Sequence, residues 1–93
     1  MQSVRIEFMK FILSRHLVKD KIPLLAKRGF KISLAQIKDT VNNPDHIDSE
    51  SDVPKIIASK NFDTKLILRV VYKLEDDIIK IITVYPAEKG RYY

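Results

Sequence analysis

The apolar positions of this chain change spacing about halfway along it, and that change separates helices from strands. Towards the carboxy-terminal end, LILRVVYKL (66–74) and IIKIITVY (78–85) are dense in branched and aromatic residues and read as strands. Glu75, Asp76 and Asp77 lie between them, so a tight antiparallel hairpin is the expected connection. VPKIIASKNF predicts a further strand over 54–60, broken by Asn61 to Thr64, and the acidic HIDSESD (46–52) predicts a short edge strand or a loop. Earlier in the chain the spacing is helical. Ser14 can cap a helix through RHLVKDKIPLLAKRG, with Gly29 at its end and Leu17, Ile22, Leu24 and Leu25 as its apolar stripe. Pro23 interrupts that helix, and a kink or two shorter pieces is the expectation. Ser33 caps a second helix in which Leu34, Ile37 and Val41 recur at helical intervals, and NNPD (42–45) ends it. FMKFILS (8–14) predicts a first short strand over roughly residues 5–13. The order is strand, helix, helix, then sheet: one α+β domain over residues 1–93, two N-terminal helices packed on a mainly antiparallel sheet of four or five strands.

Register decides which side chains share a face. A three-residue loop at 75–77 pairs Leu74 with Ile78, Tyr72 with Lys80, Val70 with Ile82 and Leu68 with Val84, a face that is apolar except for Lys80. The other face then pairs Val71 with Ile81, Arg69 with Thr83 and Ile67 with Tyr85. A loop shorter by one residue reverses one strand against the other. In this register Arg69 stands mid-strand on the open face, either snorkelling to water or serving a site. The strand is expected to end at Tyr85, with Pro86 turning the tail away.

Composition narrows the classes. The 93 residues are 45% hydrophobic and 31% charged, enough for one modest core. There is no cysteine, which excludes disulfides, thiolate catalysis and Cys-type zinc sites in this sequence. Charges at Arg5, Glu7 and Lys10 interrupt the first apolar residues, so a secretory signal is not expected and a cytoplasmic location is. The net charge of +5 is uneven: residues 1–32 carry eight Lys/Arg against two acids, residues 33–63 three against six, and residues 64–93 six against four. If the basic ends meet in the fold, they make a patch suited to a polyanion. Asp48, Glu50 and Asp52 alternate as in a calcium loop, but Val53 stands at the turn-glycine position and Ser59 at the bidentate acid's. No metal is therefore expected.

The run LRVVYKLEDDIIKIITVYPAEKGRYY resembles the second half of RelE/ParE-type toxins of bacterial toxin–antitoxin pairs, in which an Arg-bearing strand, a hairpin and a final strand precede a basic tail with tyrosine or histidine. The first half, with LSRH, AKRGF, ISLAQIK and NNPD, is similar to small proteins grouped near the RelE superfamily. The resemblance covers roughly residues 10–93. It implies a RelE-like fold and a metal-independent, cofactor-free endoribonuclease that cleaves mRNA at the ribosome. It also implies a cognate antitoxin as partner, no membrane, and a homodimer or toxin–antitoxin hetero-oligomer. The basic pair often found ahead of the Arg-bearing strand has only Lys55 and Lys60 as counterparts here.

Such an enzyme must hold a phosphate in line, neutralise its developing charge and move protons. Arg69 and Arg91 are the candidate phosphate-binding cations, since guanidinium grips two oxygens and keeps its charge. Tyr92 and Tyr93 are the candidate proton-transfer groups of the tail. Tyr85 could serve there or stack a base. Lys27, Arg28, Lys60 and Lys89 are candidate RNA-backbone contacts, with a helix-end role as the alternative for Lys27 and Arg28. His16, in the first turn after Ser14, is a candidate acid/base or a helix-start residue, and His46 is a weaker candidate. The alternative from another class is a non-catalytic nucleic-acid- or protein-binding module with a ParE-like fold.

Overall fold

The computed structural model describes residues 10–90, so the tail candidates Arg91, Tyr92 and Tyr93, and residues 5–9 of the expected first strand, lie outside the described residues. The elements run β1 (Lys10–Leu13), a π-helical turn (Leu17–Lys21), α1 (Ile22–Lys27), α2 (Leu34–Asn42), β2 (His46–Asp48), β3 (Ile56–Asn61), β4 (Leu66–Glu75) and β5 (Ile78–Glu88). The class is α+β. The five strands form one sheet in the order β1-β5-β4-β3-β2, and it is mixed, because β1 lies parallel to β5 while the other three pairings are antiparallel.

The interior proline is absorbed without breaking the first helix. Ser14 caps it, its hydroxyl accepting the Leu17 N–H at 3.1 Å. Pro23 has no N–H for the carbonyl four residues back. Ahead of it the helix widens to π spacing, with the N–H of Ile22 reaching the carbonyl of Leu17, so the chain re-enters α geometry with Pro23 in the first turn of α1. The helix ends where Gly29 takes a φ of 89° and the Phe30 N–H returns to the Leu25 carbonyl at 2.9 Å. In α2, Ser33 and Gln36 form the reciprocal capping box. Its inward stripe is Ile37, Thr40 and Val41; Leu34, expected on that stripe, is half exposed.

Leu17 and Leu25 of the first helical segment and Ile37 and Val41 of α2 pack with Ala58, Leu68, Val70, Tyr72, Ile79, Ile81 and Val84 of the sheet. Leu17, Ile37, Ile79 and Ile81 are fully buried, each side chain stabilising the fold by about 1.5–3 kcal/mol relative to exposure.

The β4–β5 hairpin corrects the expected register. The loop holds two residues, Asp76 and Asp77, so that Glu75 pairs with Ile78, Leu74 with Ile79 and Tyr72 with Ile81. A bulge beside Val71/Tyr72 then leaves Ile82 unpaired, and beyond it Val70 faces Val84 and Arg69 faces Tyr85. The physical reason is the pattern 78–81. The three-residue loop would have placed Lys80 on the core face; the two-residue loop places Ile79 and Ile81 there instead, and the bulge restores Val84 to the same side. A second correction concerns the end of the strand. β5 continues through Pro86, which pairs with Leu68, to Glu88. β1 partners only Ile78–Ile81, so among the described residues Pro86 stands where β5 has an open edge and its missing N–H breaks no ladder.

Candidate functional site

On the sheet face turned away from the helices, one row of residues crosses four strands. His46 of β2 stands opposite Ser59 of β3, Ser59 opposite Arg69 of β4, and Arg69 opposite Tyr85 of β5. Directly opposed residues share a face, so alternation alone gathers these four polar side chains together. Arg69 is 4% exposed and Ser59 is fully buried. The snorkelling alternative for Arg69 is therefore corrected: the side chain is buried, as are Ile67 and Val71, which alternate with it on the same face of β4. Burying a charge is costly unless polar partners surround it. Here Arg69 Nε donates to the Tyr85 hydroxyl at 2.9 Å and Nη1 donates to Ser59 Oγ at 3.3 Å. The guanidinium carbon also lies 5.7 Å from the centre of the Tyr85 ring.

Asp48 shares that face two residues beyond His46. Its carboxyl is held at a pKa of about 2 first by Ser51, through side chain and backbone, then by the Glu50 N–H, with the charge of Arg69 adding to the effect. The Glu50 and Ser51 N–H groups each reach Asp48 Oδ1 at 3.0 Å. This geometry makes Asp48 the anchor of the acidic loop, and among the described residues no cluster of His, Asp or Glu is arranged to hold a metal ion.

Beside the row lies a cleft of about 360 Å³, lined by Asp45, Asn61, Ile67, Lys89 and Gly90. Asn61 and Ile67 are paired with one another two residues along the strands from Ser59 and Arg69, on the same face. The Asn61 N–H donates to Asp45 Oδ2 at 2.8 Å, and the Lys89 N–H donates to the Lys65 carbonyl at 3.0 Å, which fixes the end of β5. The chain thus reaches Gly90 at the rim of this cleft.

The other candidates separate by side of the sheet. Tyr85 and Lys89 stand at the row and the cleft. Lys60 does not: it pairs with Leu68 in the ladder, on the helix side, and its Nζ binds Asp39 Oδ2 of α2 at 2.9 Å. That hydrogen bond, followed by one from Asn43, lowers the Asp39 pKa. Lys27 and Arg28 are exposed at the end of α1, in the helical layer that packs on the opposite face. His16 is exposed and bonds Asp20 one turn on at 3.1 Å, away from the row. Tyr72 points into the core, where burial raises its phenol pKa.

Ser59 and Asp48 were not singled out as site residues from sequence. The signal for Ser59 was available, since IIASK places a lone hydroxyl in the middle of an apolar strand, as Arg69 is a lone charge in the next. Among the described residues no helix is long and apolar enough to cross a membrane. Comparison of the chain with protein-family models, with curated proteins and with solved structures gives no significant match in any of the three.

Proposed function

We propose that the chain is a RelE/ParE-type toxin, a metal-independent endoribonuclease that cleaves mRNA at the ribosome and is restrained by a cognate antitoxin. The observation that carries this reading is the Arg69–Tyr85 hydrogen bond on the helix-free face, beside a cleft whose rim is the start of the basic, tyrosine-bearing tail. A strand arginine and a tail aromatic are what the resemblance requires. The row supplies hydrogen-bond donors that are already oriented, and Lys89 adds a cation at its edge. Arg91, Tyr92 and Tyr93, to which the resemblance gives the phosphate-binding and proton-transfer roles, lie outside the described residues, so mutation tests their part.

The test is induction of the gene in a bacterial host, followed by growth and by mapping of mRNA ends. Growth arrest with cleaved mRNA, lost on Arg91→Ala or on deletion of residues 91–93, supports the reading. Unchanged toxicity in both variants removes the tail from the site, and no arrest with wild-type protein rejects the reading. A purified protein that binds RNA with steep salt dependence yet cleaves none, alone or with translating ribosomes, marks a binding module instead.

A further inference from the structure

We infer that Arg69 is a positioning residue that acts through Tyr85, and that the Tyr85 hydroxyl, not the guanidinium, touches the RNA phosphate. The inference rests on the endoribonuclease reading above and assigns roles within that site.

Arg69 is 4% exposed, too enclosed to wrap its fork around a phosphate, and two of its N–H groups are committed to Tyr85 and Ser59. Tyr85 is half-buried, more open than the Arg69 it is bonded to. A phenol oxygen that accepts a hydrogen bond still has its own O–H to donate. With Nε–H filling the acceptor side, the remaining proton is available to a non-bridging phosphate oxygen. The Nη1 bond to the buried Ser59 hydroxyl is the second point of a clamp. One arm anchors in β3 and the other aims the phenol of β5, so the donor is oriented before substrate arrives and loses little freedom on binding it. Tyr85 gives a hydrogen bond to the charge that develops on phosphorus's oxygens, and it neither gains nor loses a proton.

The experiment compares cleavage kinetics of the wild type, Tyr85→Phe, Arg69→Lys and the double variant on one mRNA, with translating ribosomes where these are required. Thermal melts confirm that each variant is folded. The expected result is a fall in kcat of roughly a hundredfold for Tyr85→Phe with KM little changed, the usual size of losing one oriented donor. Arg69→Lys keeps the charge but loses the planar fork, and is expected to lose a similar factor. The double variant is expected to be no slower than Tyr85→Phe alone, because both changes remove the same hydrogen bond. If Arg69→Lys does not fold, Ser59→Ala loosens the clamp and gives a several-fold fall in kcat that disappears in the Tyr85→Phe background. An active wild type whose Tyr85→Phe variant keeps full kcat overturns the inference alone, as do losses that multiply in the double variant. A wild type that cleaves no RNA overturns the endoribonuclease reading and this inference with it.

Discussion

Arg69 and Tyr85, sixteen residues apart, meet directly across the β4–β5 ladder with guanidinium Nε and phenol oxygen 2.9 Å apart. The pairing exists only because a bulge follows a two-residue turn. Without the unpaired Ile82, Tyr85 would fall one position out of step and point to the helix side. The core requirement that buries Ile79, Ile81 and Val84 is thus also what brings the polar row into line.

The energetics of that row follow from its burial. Arg69→Met leaves the Ser59 hydroxyl enclosed without its donor, at a cost of about 1–3 kcal/mol. Adding Ser59→Ala removes the orphaned group, so the double variant is expected to recover part of that loss. Urea unfolding of the two variants and the wild type measures both steps; equal losses in the single and double variants contradict a buried hydrogen-bonded pair.

The hairpin offers a gain. Asp76 takes a φ of 54°, a left-handed conformation that costs any side chain more than it costs glycine. Asp76→Gly also removes one of three adjacent acids. The expected outcome is a rise in stability of about 0.5 kcal/mol. Asp77→Gly serves as the control, since that residue is not in the left-handed region, and it is expected to lower stability. Denaturant midpoints that move the other way in either variant contradict the turn geometry.

Much of the architecture was legible because it is local. Ser14 and Ser33 act within one turn of themselves, and the apolar density of 66–74 and 78–85 defines strands whatever they pair with. What was not legible depends on distant partners. Whether Lys80 or Ile79 faces the core is decided by helices packed from far along the chain, and with it the loop length and the bulge. The burial of Arg69 depends on Ser59 from another strand, and the removal of Lys60 from the candidate interface depends on Asp39 of α2. Pro86 stays in β5 where, among the described residues, β1 does not reach that edge, which no pattern near Pro86 could announce.

Acid should destabilise the protein in a definite window. Asp48 has a folded pKa of about 2 against an ordinary 3.8, so between those values the unfolded chain binds more protons than the folded one. Its contribution is fully present above 3.8 and is lost as pH falls towards 2. Asp39 and Asp63 are lowered as well and act with the same sign, Asp39 through Lys60 and Asp63 through the N–H groups of Lys65 and Leu66. In Asp48→Asn the fall in urea midpoint between pH 5 and pH 2.5 is expected to be smaller than in the wild type. An unchanged fall removes Asp48 from the acid response.

The sidedness of the molecule gives the sharpest test of the proposed RNA-binding face. Each lysine that neutralises a phosphate releases counterions, so its removal lowers the slope of log affinity against log salt by about one. Lys89 stands at the cleft beside the Arg69 row, whereas Lys60 is engaged with Asp39 on the far side and Lys27 lies in the helical layer. Lys89→Ala is therefore expected to weaken binding of a single-stranded RNA oligonucleotide and to flatten its salt dependence. Lys60→Ala and Lys27→Ala should leave both unchanged. Salt titrations of the three variants decide it: a reduced slope for Lys27 or Lys60 with none for Lys89 would move the interface to the helical side, and Tyr85 would then have no substrate to meet.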